Sequence, residues 1–154
     1  MNSSVVRITK EFDFEMAHAL WNYDGACKNI HGHSYKLMVT LKGHPNNDPT
    51  SPKLGMLIDF KELKNLVNNL IIKRFDHALV INENAPHDFI KNEGAKQMFD
   101  KIEILPFQPT CEKLISYFAL QLMEKLPPNV NLHSLRLYET SNSYAEWYLE
   151  DNNF

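Results

Sequence analysis

The sequence has only two cysteines, Cys27 and Cys111, among 154 residues. Two thiols cannot build a multi-bridge disulfide framework, and free thiols are expected. No apolar run is long enough to cross a bilayer. The opening residues MNSSVVRITKEFDF hold no secretory apolar stretch, so a cytoplasmic location is the expectation. Positive charge is not in excess: 16 Lys+Arg stand against 19 Asp+Glu, a formal charge of −3. Neither a broad nucleic-acid footprint nor a membrane partner is expected from that balance. Glycine is sparse, with five residues and no phosphate-cradling Gly-rich loop, and nucleophile elbows and paired CxxC zinc modules are missing too. There is no repeat and no low-complexity tract. What remains is a 44% hydrophobic, 23% charged chain whose length suits a single domain over residues 1–154.

Two extended segments come first. In VVRITKEFDF, Val6, Ile8, Phe12 and Phe14 share one parity, interrupted by Lys10. In SYKLMVTLKG, Tyr35, Leu37, Val39 and Leu41 face one way. The segment joining them is too long for a tight hairpin, and loops of that length are often functional. Asp59 can cap a helix whose stripe is Leu63, Leu66, Val67, Leu70 and Ile71, ending near Arg74. Residues 82–109 read mostly as loop. Thr110 caps a second helix with Leu114, Ile115, Phe118, Leu122 and Leu126 on its apolar face, stopped by Pro127 and Pro128. HSLRLYE and YAEWYLE flank the turn TSNS and form a closing hairpin. The order β-β-α-α-β-β predicts an α+β layer, a four-stranded antiparallel sheet with two helices on one face. Its two open edges need protection, so homo-oligomerisation is expected.

Chemistry concentrates near the second strand. His31 and His33 lie two apart and, in an extended segment, share a face; Gly32 leaves room between them. Strand pairing could bring His18 alongside. Three imidazoles suit zinc and leave a fourth position open, as catalytic zinc requires. Cys27, four residues before His31, could instead complete a closed structural site, and spacing does not separate these readings. Asp76 and His77 could form an acid–base relay, or a solvated loop pair. Glu112 sits in the first turn of the second helix, where the helix dipole alone favours a carboxylate. Glu139 follows the parity of Leu135 and Leu137, suggesting an inward carboxylate that could accept a ligand's adjacent N–H groups or cap the turn. His44, His87 and His133 receive no role.

Taken together, F-x-x-A-H at 14–18, C-x3-H-G-H-S-Y at 27–35, G-M-x-x-D-F-x-x-L-K at 55–64, D-H-x-x-x-x-N at 76–82, P-T-x-E at 109–112 and Y-E-T at 138–140 resemble the 6-pyruvoyl-tetrahydropterin synthase family, which includes the 6-carboxy-tetrahydropterin synthases of queuosine biosynthesis. The resemblance spans nearly the whole chain and implies the tunnelling fold (T-fold). It also implies trimers, commonly paired into hexamers, with active sites at subunit interfaces. It assigns His18, His31 and His33 to Zn2+, makes Cys27 the proton-abstracting base, and makes Asp76 and His77 the relay for a second proton. Glu139 becomes a pterin anchor or relay partner, with Thr110 and Glu112 near the pterin. The implied substrate is 7,8-dihydroneopterin triphosphate. Two departures stand out: residues 84–108 are long, and Ala19 stands where a basic residue often follows the first zinc histidine.

Asp59 in GMLIDF and the ending LYETSNSYAEW look more like the carboxy-forming branch, which releases acetaldehyde and triphosphate. The alternatives are the pyruvoyl-forming elimination, a non-catalytic pterin- or purine-binding module with structural zinc, and an aldolase-like activity on dephosphorylated dihydroneopterin.

Overall fold

The computed structural model describes residues 4–152; the ends of the expected domain, 1–3 and 153–154, lie outside the described residues. Strand β1 (Val6–His18) and strand β2 (His31–Gly43) pair antiparallel over their whole lengths, from Val6 opposite Gly43 to His18 opposite His31. Strand β1 therefore runs four residues, and β2 three residues, further toward the connecting loop than hydropathy alone indicates. The reason is the alternation itself: Phe12, Phe14, Met16 and His18 are all buried and all on one face, with Glu11, Asp13 and Glu15 on the other. A histidine continues that buried row where a sequence reading sees a polar residue.

Helix α1 (Phe60–Val67) is capped by Asp59, whose side chain accepts from the Lys61 N–H. It continues through a π-helical turn (Asn68–Ile72) into the short α2 (Lys73–Phe75). Strand β3 (Ala78–Asn82), the small helix α3 (Glu93–Lys96) and strand β4 (Ile102–Leu105) come next. Helix α4 (Cys111–Lys125) begins at its Thr110 cap, and strands β5 (Asn131–Thr140) and β6 (Ser143–Tyr148) form the final hairpin. Among the described residues the sheet has six strands in the order β4-β3-β1-β2-β5-β6. It is mixed, because β1–β3 and β3–β4 are parallel pairs while the other pairs are antiparallel.

The expected four-stranded antiparallel sheet is thus corrected to six strands. The sequence ALVIN is buried at every position, so it carries no alternation to mark it as a strand; such continuous runs suit strands covered on both faces. β4 is four residues long, too short to show a period. Its place is fixed by Arg74, which donates from Nε to Glu103 at 2.8 Å and from Nη1 to the Tyr117 hydroxyl, tying β4 to the helical layer. The core lies between the sheet and the helices, with Leu37, Val39, Leu41, Leu63, Val67, Phe75, Leu114 and Phe118 fully buried. Each such side chain contributes about 1.5–3 kcal/mol by leaving water. Among the described residues no helix is long and apolar enough to cross a membrane.

Candidate metal centre and its surroundings

The paired ends of β1 and β2 deliver three imidazoles to one place. His18, His31 and His33 each direct one ring nitrogen toward a common point, and these atoms lie within 4.8 Å of one another. The proton positions follow from the neighbours. His18 Nδ1 is 2.7 Å from the Pro109 carbonyl oxygen, and His31 Nδ1 is 2.7 Å from that of Asn29. A carbonyl oxygen only accepts, so each Nδ1 carries the proton and each neutral ring keeps its Nε2 lone pair. Those two Nε2 atoms face each other at 3.0 Å. Two lone pairs at that distance repel unless a cation lies between them.

His33 Nε2 is buried and has no hydrogen-bond partner among the described residues; the Glu139 carboxylate lies 3.8 Å away. Burial drives the His18 pKa below its ordinary value, and the other two rings push the same way. A site in which two of the imidazoles are oriented by backbone carbonyls and ring nitrogens of all three converge fits a divalent metal ion. Among the described residues the convergent group contains no sulfur.

Gly32 stands in β2 with ordinary room for a side chain, since an added Cβ would meet only the Met16 carbonyl at 3.6 Å. The two-residue repeat of a strand, rather than glycine flexibility, places His31 and His33 together. Tyr35 continues their row. It is 1% exposed and stacks on Phe14 at 5.1 Å, with its ring 5.8 Å from that of His33. Its hydroxyl is buried without a partner among the described residues. Burial and the Glu139 charge raise its pKa, so the phenol remains a neutral O–H. The parity of Tyr35 with His33 is legible in H-G-H-S-Y; its unpartnered hydroxyl is not.

Cys27 is exposed and stands apart from the trio, in a one-turn helix, Ala26–Lys28, within the loop between β1 and β2. That loop is closed by the Leu20 N–H donating to the Cys27 carbonyl at 2.9 Å. The other thiol, Cys111, is buried and donates to the Leu137 carbonyl at 3.2 Å, and burial pushes its pKa up to about 11. It is a packed, unreactive group.

Asp76 and His77 end the α1–α2 segment. His77 Nδ1 is 3.0 Å from Asp76 Oδ1. With the proton on Nδ1 toward the carboxylate, Nε2 is left as the acceptor. Partial burial alone would raise the Asp76 pKa; the Glu15 N–H, at 2.9 Å, and His77 outweigh it and hold the carboxyl below its ordinary value. His77 has φ 61°, a left-handed conformation that costs a non-glycine residue energy, and its N–H is held by the Glu15 carbonyl at 2.6 Å. A cleft of about 390 Å³ is bordered by Glu15, Gly32, His33, Ser34, His77 and Lys101. His77 therefore shares a cleft with His33 without joining the convergent trio.

Thr110 accepts from the Lys113 N–H at 3.3 Å as the α4 cap, and Glu112 is exposed in the first turn of that helix. The structure thus gathers His18, His31, His33, Glu139 and Tyr35 on one face, and leaves Cys27, Asp76, His77 and Glu112 outside that group. The buried Pro109 carbonyl that orients His18 is a backbone atom, which no side-chain motif announces.

Residues 7–150 match the family described as 6-pyruvoyl tetrahydropterin synthase. A Haemophilus influenzae protein named 6-carboxy-5,6,7,8-tetrahydropterin synthase is 33% identical over 141 residues, covering 92% of this chain and 97% of its own. An Aquifex aeolicus protein of the same name is 32% identical over 161 residues, covering 91% and 96%. Among solved structures, an uncharacterized Wolinella succinogenes protein superposes with a TM-score of 0.79 at 22% identity, covering 96% of this chain and 99% of that one. Caenorhabditis elegans 6-pyruvoyl tetrahydropterin synthase gives 0.64 at 24% identity, again covering 96% and 99%. The two structures carry the fold, and the match over residues 7–150 carries the kinship: the chain belongs to the 6-pyruvoyl tetrahydropterin synthase family and has its T-fold.

Proposed function

We propose that residues 1–154 form one domain of a zinc-dependent, cytoplasmic 6-carboxy-5,6,7,8-tetrahydropterin synthase. The enzyme converts 7,8-dihydroneopterin triphosphate to 6-carboxy-tetrahydropterin with release of acetaldehyde and triphosphate, a lyase reaction in the queuosine precursor pathway. Family membership supports tetrahydropterin synthesis as the activity, and the relatives named for the carboxy product favour that branch. The observation that carries the reading is the trio itself: two imidazoles whose Nδ1 protons are committed to carbonyls, so that converging Nε2 lone pairs face a common point.

Zinc held by His18, His31 and His33 supplies Lewis acidity, which makes a nearby substrate hydroxyl more acidic and stabilises negative charge on oxygen. The remaining work belongs to side chains. Cys27 takes the first proton from the substrate side chain; a positioned base contributes roughly 10²–10⁴-fold. His77, oriented by Asp76, handles the second proton at Nε2. Glu139 accepts the pterin's adjacent N–H groups, while Thr110 and Glu112 lie along the pterin edge. As the resemblance to the family implies, the active site lies at an interface between subunits of a trimer or hexamer.

The test is incubation of the zinc-loaded protein with 7,8-dihydroneopterin triphosphate and with dihydroneopterin, products being identified by mass spectrometry. Acetaldehyde in step with 6-carboxy-tetrahydropterin is expected from the triphosphate alone. A pyruvoyl product without acetaldehyde moves the protein to the other branch. Turnover of the dephosphorylated compound points to aldolase-like chemistry. Cys27→Ala is expected to keep its zinc and lose roughly 10²-fold or more in kcat. Loss of zinc together with folding in that variant would convert the centre into a structural one.

A further inference from the structure

The three residues before α4 touch both parts of the proposed machinery. Gln108 holds both backbone polar groups of Trp21: its Nε2 donates to the Trp21 carbonyl at 2.8 Å, and its Oε1 accepts the Trp21 N–H at 3.2 Å. The same Oε1 accepts from Asn82 Nδ2 at 3.3 Å, and Asn82 is buried at the end of β3. The amide is thereby anchored to the sheet on one side and to a loop on the other. Trp21 follows Leu20, whose N–H holds the Cys27 carbonyl at 2.9 Å. A short hydrogen-bonded path therefore runs from β3 through Gln108 to the turn carrying Cys27. The next residue, Pro109, is buried and supplies the carbonyl that fixes the proton on His18.

We infer that Gln108 is a positioning residue for Cys27: its side-chain amide clamps the Cys27 loop to the sheet at the point where the adjoining carbonyl orients His18, and so sets the distance between the base and the metal centre. The inference rests on the proposed role of Cys27 and adds the residue that places it. Physically, the loop between β1 and β2 needs such a clamp. Residues 19–30 contain only one short helical turn, and Trp21, Tyr23 and Cys27 are exposed, so packing does little to locate the thiol. An amide side chain suits the task because it offers a donor and an acceptor in one plane, the complement of a single residue's backbone C=O and N–H. A loss of about 1 Å in placement can cost on the order of 10²-fold in rate.

The experiment compares Gln108→Ala and Gln108→Glu with the parent enzyme, alone and combined with Cys27→Ala. Gln108→Glu retains the acceptor toward the Trp21 N–H and loses the donor toward its carbonyl. Expected results are a fall in kcat of roughly 10–10²-fold for Gln108→Ala with KM within about threefold, and a smaller fall for Gln108→Glu. Zinc content should stay unchanged, while the Trp21 amide loses protection from hydrogen exchange. In the Cys27→Ala background, Gln108→Ala should bring no further loss of kcat. Three results would overturn the inference: an unchanged kcat, an equal loss whether or not Cys27 is present, or loss of zinc in the Gln108 variants. If Cys27→Ala itself leaves kcat intact, the role of Cys27 fails first and takes the clamp with it.

Discussion

Two carbonyl oxygens govern what His18 and His31 can do, and a third group nearby is governed by nothing. The Tyr35 hydroxyl is buried with no partner among the described residues. An unsatisfied buried polar group costs stability, typically about 1–3 kcal/mol. Tyr35→Phe removes one atom and that cost while keeping the stack on Phe14. The variant should unfold at the same or a higher urea concentration than the parent in equilibrium denaturation; a midpoint clearly lower would show that the hydroxyl has a partner. Asp76 gives a pH-dependent counterpart. Its carboxyl titrates below 3.8, its ordinary value, once folded. A depressed carboxyl stabilises the fold fully above the unfolded value, and the contribution is lost as pH falls through the folded one. Asp76→Asn should therefore be less stable than the parent near about pH 6, with the gap shrinking toward about pH 3, when urea denaturation is followed across that range. A gap independent of pH would assign the effect to packing instead.

The elements differ in how openly the sequence announces them, for reasons visible in particular residues. The Asp59 and Thr110 caps were readable because capping uses side-chain chemistry at a fixed offset, and both accept the expected N–H groups. The trio was readable because His31 and His33 are two apart in a strand; its partner His18 needed the register, which pairs His18 with His31. β3 was not readable, because ALVIN is buried on every side and shows no alternation. Nor was the π-helical turn at Asn68–Ile72, since Leu66, Val67, Leu70 and Ile71 fit an ordinary helical stripe that runs into it. Backbone acceptors such as Pro109 and Asn29 leave no trace in residue type at all. The weakest-signalled strand, β4, depends on a half-buried guanidinium: Arg74 bridges Glu103 and Tyr117 and lies 5.1 Å over the Phe75 ring. Replacing it with alanine leaves Glu103 without its cation. Hydrogen exchange should accelerate at the Ile102–Leu105 amides by tenfold or more, while the β1–β2 ladder stays protected. Equal acceleration in both places would mean that Arg74 supports the whole fold and not this edge.

At the scale of the molecule, the sheet ends in β4 on one side and β6 on the other, each with one unpaired edge among the described residues. Unpaired edges favour association, and the active site proposed above draws on more than one subunit. Sedimentation equilibrium should return a mass three or six times 17.9 kDa, and dilution that yields monomer should abolish turnover while leaving secondary structure intact. A fully active monomer would remove the shared site. The sheet order has one more consequence, in time rather than space. The central β1–β2 pair joins strands that are neighbours in the sequence, so all three imidazoles leave the ribosome close together, between residues 18 and 33. The carbonyl that fixes the His18 proton is 91 residues further on in the chain. A nascent chain stalled before Pro109 carries all three imidazoles and lacks the carbonyl that orients the first of them, so the trio becomes fully ordered only when synthesis has reached the start of α4.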